Sequence, residues 1–181
     1  AFPETWTLAE ILDLTRDAGF AAIELDYGPG RPLHAESTAE DAAGLLAQCR
    51  HRDLAVSSLA SGIFWQVNLL SDDAAVRAEA KSHVRHMMRL GAALGVRTLL
   101  IVPGFVGPFE AGAPVIVDYE ATFERALEDF ATLAAEAADY DVVLAMETVW
   151  NKFLASPLEM RMFVDAVGSA SGGESPHGGL Y

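Results

Sequence analysis

Segments with helical spacing of apolar residues alternate along nearly the whole chain with short apolar runs bounded by turn residues. That alternation narrows the possible folds more than any single residue does. From Thr7, the residues Leu8, Ile11, Leu12, Leu14 and Ala18 recur at helical spacing, and Gly19 supplies a stop. Residues 20–25 are apolar except for Glu24 and precede the Gly28-Pro29-Gly30 loop, so they read as a buried strand. Ser37 reads as the cap of a second helix, with Glu40 three positions on and Leu45, Leu46 and Cys49 inward, and residues 54–59 as the next strand. A third helix begins near Ser71 with Asp72 and Asp73 in its first turn, turns Val76, Ala80, Val84, Met87, Met88 and Leu90 inward, and stops between Gly91 and Gly95. Strand 96–102 follows. After a Gly- and Pro-rich loop, Tyr119, Phe123, Ala126, Leu127, Phe130 and Leu133 mark a fourth helix, residues 142–146 a fourth strand, and Pro157 the first turn of a fifth helix over 158–167.

Parallel strands covered by helices satisfy this order, which makes the chain α/β. Two architectures remain open, a doubly wound sheet and a closed barrel of eight strands. Polar and aromatic residues just after several strands (Asp26-Tyr27, Ser61 to Trp65, Gly104-Phe105, Glu147 to Phe153) favour the barrel, which gathers its site there. A Gly-rich phosphate fingerprint follows none of the strands. Residues 169–179 have the Gly/Ser composition of a flexible segment within a single domain spanning residues 1–181.

With 181 residues, 51% of them hydrophobic, the chain can bury one core. A net charge of −14, with no basic run interleaved with aromatics, argues against nucleic-acid binding. No apolar stretch reaches membrane-spanning length, and Cys49 is alone, so the expectation is a soluble cytoplasmic protein without disulfides or a cysteine metal cluster. His83 and His86, three apart on a helix, lack a third ligand nearby and read as surface histidines.

The segment Met146-Glu147-Thr148-Val149-Trp150-Asn151-Lys152-Phe153-Leu154-Ala155-Ser156-Pro157-Leu158-Glu159-Met160 resembles the fifth-strand motif of the sugar phosphate isomerase/epimerase family, within the xylose-isomerase-like TIM-barrel superfamily. Weaker matches occur in the family's order: Ala18-Gly19-Phe20 with Ile23-Glu24-Leu25, then Leu59 to Trp65, then Leu94-Gly95-Val96 with Ile101-Val102-Pro103-Gly104. The resemblance implies a partial (β/α)8 barrel, with strands equivalent to the second to fifth of the barrel and Leu180-Tyr181 opening the sixth. It also implies that the family's first strand, and the metal-binding Asp, His and final Glu of later strands, are not in these 181 residues.

Moving a proton beside a ketose carbonyl needs a base and stabilisation of the enediolate. By resemblance, Glu147 is a ligand of a divalent ion, Mn²⁺ or Mg²⁺, and exchanges a proton with a sugar or sugar phosphate. On pattern alone it would be a solvated carboxylate at a strand end. Glu24, Trp65, Asn151 and Lys152 are candidate substrate contacts, against plainer roles: an exposed strand-end carboxylate, a packing aromatic, a loop-shaping amide and a solvated lysine. With one ligand of the set, the chain alone is expected to be inactive. The alternatives are a non-catalytic, self-associating module, which allows a homo-oligomer, and, more distantly, an apurinic-endonuclease-like phosphodiesterase.

Overall fold

A computed structural model describes residues 5–107 and 117–170, together with the backbone of 179–180. Its elements are α1 (Leu8–Asp17), β1 (Ala22–Asp26), α2 (Ala39–Arg50), β2 (Ala55–Ser61), a 3-10 turn (Ile63–Trp65), α3 (Ala74–Leu94), β3 (Thr98–Ile101), α4 (Tyr119–Ala138), β4 (Val143–Met146), α5 (Pro157–Ala170) and β5 (Gly179–Leu180).

All five strands run parallel, in the spatial order β1-β2-β3-β4-β5. Strand order that never reverses has no switch point, so the doubly wound alternative is excluded and the architecture is a partial (β/α)8 barrel. Leu25, Leu59, Leu99, Ile101, Leu144 and Met146 are buried in one core with Met87, Met88, Phe130, Leu133 and Phe163 from the helices. Because strand side chains alternate, Glu24, Asp26, Ala60, Leu100 and Ala145 face away from that helix layer, into the lumen. The alternation on β2 holds only through a bulge: Ile23 pairs with Val56 but Glu24 with Ser58, so Ser57 is supernumerary.

Local chemistry sets the helix ends. Thr7 and Glu10 form a reciprocal capping box at α1, as Thr38 and Asp41 do at α2. The cap of α2 is therefore one residue later than the expected Ser37, whose hydroxyl instead accepts from the His34 backbone N–H at 2.9 Å. Asp73 caps α3 rather than lying in its first turn, and Gly95 closes that helix in the left-handed region at φ 70°. Gly91 lets α3 approach β3 closely, since a Cβ there would come within 2.7 Å of Leu99 Cδ2. Salt bridges join α3 to α4, with Arg85 gripping both oxygens of Glu136 at 2.6 and 2.8 Å and Lys81 pairing with Asp129. Of the segment expected to be flexible, Ser169 and Ala170 are helical, and residues 171–178 lie outside the described residues, as does Tyr181. No helix among the described residues is long and apolar enough to cross a membrane.

Candidate functional site

Glu147 immediately follows β4, and its backbone N–H still donates to the Ile101 carbonyl at 3.0 Å, so the ladder reaches it. Met146 before it is buried on the helix side, and alternation turns Glu147 to the lumen, where its side chain is exposed at the C-terminal end of the strand. Three strands away, Glu24 faces the same lumen and accepts a hydrogen bond from Ser58 Oγ at 2.6 Å. Two residues further along β1, Asp26 pairs through Oδ2 with Arg31 Nε at 2.9 Å. Burial pushes the Asp26 carboxyl upward, Arg31 opposes that, and the charge of Glu24 adds to it.

Two buried asparagines organise the strand-end loops. Asn68, after β2, accepts from the Phe105 N–H at 3.0 Å and donates to the Phe105 carbonyl at 2.8 Å, clamping the loop after β3. Asn151, after β4, donates to the Gly104 carbonyl at 2.6 Å and accepts from the Phe153 N–H at 3.3 Å, while its own carbonyl accepts from Val106 N–H. Gly104 lies between them at φ 103°, where a Cβ would overlap Asn68 Oδ1 and crowd Leu70.

Asn151 is thus wholly buried, with its amide engaged at both ends by backbone groups of the two loops. Sequence reasoning passed over Asn68, which does the same work from the other side. An Asn between an aromatic-rich strand end and a helix start was the available signal.

Lys152 is exposed and held at φ 60°, and Leu154 at φ 53°, so two non-glycine residues in the left-handed region flank Phe153. Phe153 is buried against Tyr119, Phe123 and Phe163, anchoring this loop to α4 and α5. Trp65 is half-buried and stacks on Phe105 with ring centroids 6.3 Å apart, whereas Phe64 packs fully inside the core. The loops carrying Trp65, Asn151 and Lys152 therefore meet around residues 104–106. Glu24 stands apart on β1.

His83 and His86 are not surface histidines. The loop after β1 folds over α3, leaving both half-buried, with Tyr27 Oη 2.8 Å from His83 Nδ1 and the Tyr27 ring 5.8 Å from that of His86. Burial holds both imidazoles below the ordinary histidine range, Arg89 adding to the effect at His86, and burial also pushes the Tyr27 phenol up to about 12. A cleft of about 720 Å³ beside them is lined by Gly28, Arg31, His34, Gln66, Glu79 and His83 among others, but by none of Glu24, Trp65, Glu147, Asn151 or Lys152.

Among the described residues no three His, Cys, Asp or Glu side chains group so as to hold a metal ion. Glu147 alone does not make such a site.

The family model described as "Xylose isomerase-like TIM barrel" matches residues 12–173. No curated protein matches the chain. Among solved structures, a D-psicose 3-epimerase crystallised in the presence of D-fructose is similar, with TM-score 0.74, 22% identity, and coverage of 91% of this chain and 56% of that one. A D-psicose 3-epimerase with D-tagatose from Clostridium cellulolyticum H10 matches with TM-score 0.74 and 18% identity, over 90% of this chain and 55% of that one. A xylose isomerase-like TIM barrel protein from Mycobacterium smegmatis in complex with magnesium matches with TM-score 0.66 and 15% identity, over 91% and 55%. At these identities the likeness shows the fold, and the chain spans a little over half the length of these structures.

Proposed function

Because the chain belongs to the xylose isomerase-like TIM barrel family, we propose that it serves a sugar or sugar-phosphate isomerase or epimerase, with Glu147 as the group that exchanges a proton with the substrate. The observation that carries this reading is the position of Glu147, an exposed carboxylate aimed into the lumen at the C-terminal end of a barrel strand. Such a carboxylate can take the proton from the carbon beside a ketose carbonyl, leaving an enediolate. Returning the proton to the neighbouring carbon isomerises the sugar, and protonation of the same carbon from the opposite face epimerises it. Lys152 stands in the same loop, where its ammonium favours developing negative charge. Trp65, stacked on Phe105, shields one side of the site from water, and Glu24 accepts substrate hydroxyls.

A divalent ion, Mn²⁺ or Mg²⁺, belongs to this reading as the partner of Glu147 and would supply Lewis-acid stabilisation when bound. No set of ligands is complete among the described residues, and this reading expects no turnover from the 181 residues by themselves. Activity is expected of a polypeptide that adds the remaining donors.

The test uses the longest natural polypeptide that carries this sequence, incubated with D-fructose and Mn²⁺ in D₂O. Deuterium is expected to enter the carbon beside the carbonyl, followed by NMR, and Glu147→Gln is expected to lower that exchange at least a thousandfold. Absence of exchange in the unmodified protein, or exchange that survives Glu147→Gln, would refute the assignment.

A second reading, self-association, draws support from the outermost helices. Leu14 on α1 and Phe20 just after it are exposed at 42% and 65%, and Leu158 and Met162 on α5 at 66% and 61%. Light scattering separates the two readings, since a monomer at all accessible concentrations would remove the second.

A further inference from the structure

Asp26 has no part in the proton transfer proposed above, yet it occupies a position comparable to that of Glu147. It ends β1, while Glu147 immediately follows β4; both face the same lumen, three strand spacings apart, about 14 Å laterally along the sheet and less across the chord of a barrel, with Asp26 level with Ala145, two residues before Glu147. In the paired register its neighbours are Ala60 on β2, Leu100 on β3 and Ala145 on β4. Asp26 is thus the one polar group in that row of the described wall. Burying part of a carboxylate beside apolar neighbours is costly, and Arg31 offsets the cost through one nitrogen on one oxygen. Glu24, two residues back on the same face, adds a second carboxylate, so the β1 side of the lumen carries two negative charges and one positive.

Resting on the reading of Glu147 given above, we propose that Asp26, oriented by Arg31, is a specificity-determining residue that accepts hydroxyl groups at the end of the sugar remote from the reacting carbonyl and favours an unphosphorylated substrate over its phosphate ester. A carboxylate accepts hydrogen bonds from adjacent hydroxyls through both oxygens, whereas a phosphate dianion brought to the same wall meets like charge. The guanidinium does not reverse this preference, because its charge is already matched by Asp26. The upward push on the Asp26 carboxyl accords with a group held partly out of water for use.

The experiment compares D-fructose with D-fructose 6-phosphate in the longest natural polypeptide carrying this sequence, using the deuterium-exchange assay. Asp26→Ala is expected to raise KM for D-fructose at least tenfold with kcat within about twofold, and Asp26→Asn, which keeps half of the acceptor capacity, to lie between. The ratio of kcat/KM for the free sugar over the phosphate is expected to fall at least tenfold in both variants. Circular dichroism establishes that the variants fold, and should Asp26→Ala fail, Asp26→Asn and Arg31→Gln carry the test, the latter strengthening the same preference severalfold because it leaves the charge of Asp26 unmatched. A purely structural Asp26 would lower thermal stability and leave the preference unchanged, and that result overturns the proposal. Wild-type protein that exchanges no proton refutes the Glu147 reading and this inference with it. Wild-type exchange with an unaltered preference in the Asp26 variants refutes this inference alone.

Discussion

Tyr27 Oη and His83 Nδ1 lie 2.8 Å apart, joining the loop that leaves β1 to the middle of α3. Tyr27→Phe leaves His83 without that partner in a half-buried place, and a loss of about 1–2 kcal/mol is expected. In a domain of this size that lowers Tm by roughly 2–8 °C, readable by calorimetry.

The burial of the two histidines gives stability a pH dependence. Burial depresses His83 and His86 in the folded protein, so the unfolded chain binds more protons just below the ordinary histidine pKa of about 6.5. Stability is therefore full above that value and declines as pH falls through it. Urea midpoints at pH 7.5 and 5.5 should differ for the wild type, and the difference should shrink in His83→Gln.

Gly104→Ala is expected to be among the most damaging small substitutions. It sets a side chain at φ 103° and drives a Cβ into Asn68 Oδ1 and the Leu70 backbone, a cost of about 2–4 kcal/mol from strain and overlap together. Chemical denaturation would measure it, and a loss under 1 kcal/mol would show that the loop has room to move.

Asn151 and Lys152 are adjacent and should behave oppositely. Asn151→Ala removes the bond to Gly104 O and leaves buried backbone groups unsatisfied, so stability falls by about 1–3 kcal/mol. Lys152→Gly relaxes a left-handed residue at φ 60°, so stability stays within about 1 kcal/mol of wild type while proton exchange falls. Equal stability losses in the two variants would contradict this division of labour.

On the acid side, the Arg85 hydrogen bonds hold Glu136 below the usual carboxylate range, and those of Thr38 do the same for Asp41. For a depressed carboxyl the contribution is present above the unfolded pKa, near 4, and is lost as pH falls through the folded value. Glu136→Gln should therefore flatten the acid limb of the stability profile while changing little at pH 7, where a partly exposed pair is worth about 1 kcal/mol or less.

Much of the fold was legible in the chain because it is written locally. The helical spacing from Leu8 to Ala18, Gly95 and the short apolar runs around Leu99 and Leu144 each mark an element without distant help. Strand ends slipped by one or two residues since the ladder partner decides them, as Ala60 does for Tyr27. The α2 cap moved because Ser37 already serves His34. Glu147 was singled out by the resemblance of its segment, since on pattern alone it read as a solvated carboxylate at a strand end. Asn151 could not be assigned, since its burial depends on Gly104, 47 residues away, and the enclosure of His83 depends on a loop folding over it from β1. Choosing between barrel and doubly wound sheet needed the strand order, which no local pattern contains.

The supernumerary Ser57 makes β2 tolerant of a deletion that other strand positions would not survive. Remove it, and Val56 and Ser58 become neighbours that already pair with the consecutive residues Ile23 and Glu24, so every later side chain keeps its side of the wall. Loss of Ala60 instead would turn the residues before it over relative to those after it. The described part of the barrel wall thus holds a place where its length can drift while its inside stays inside.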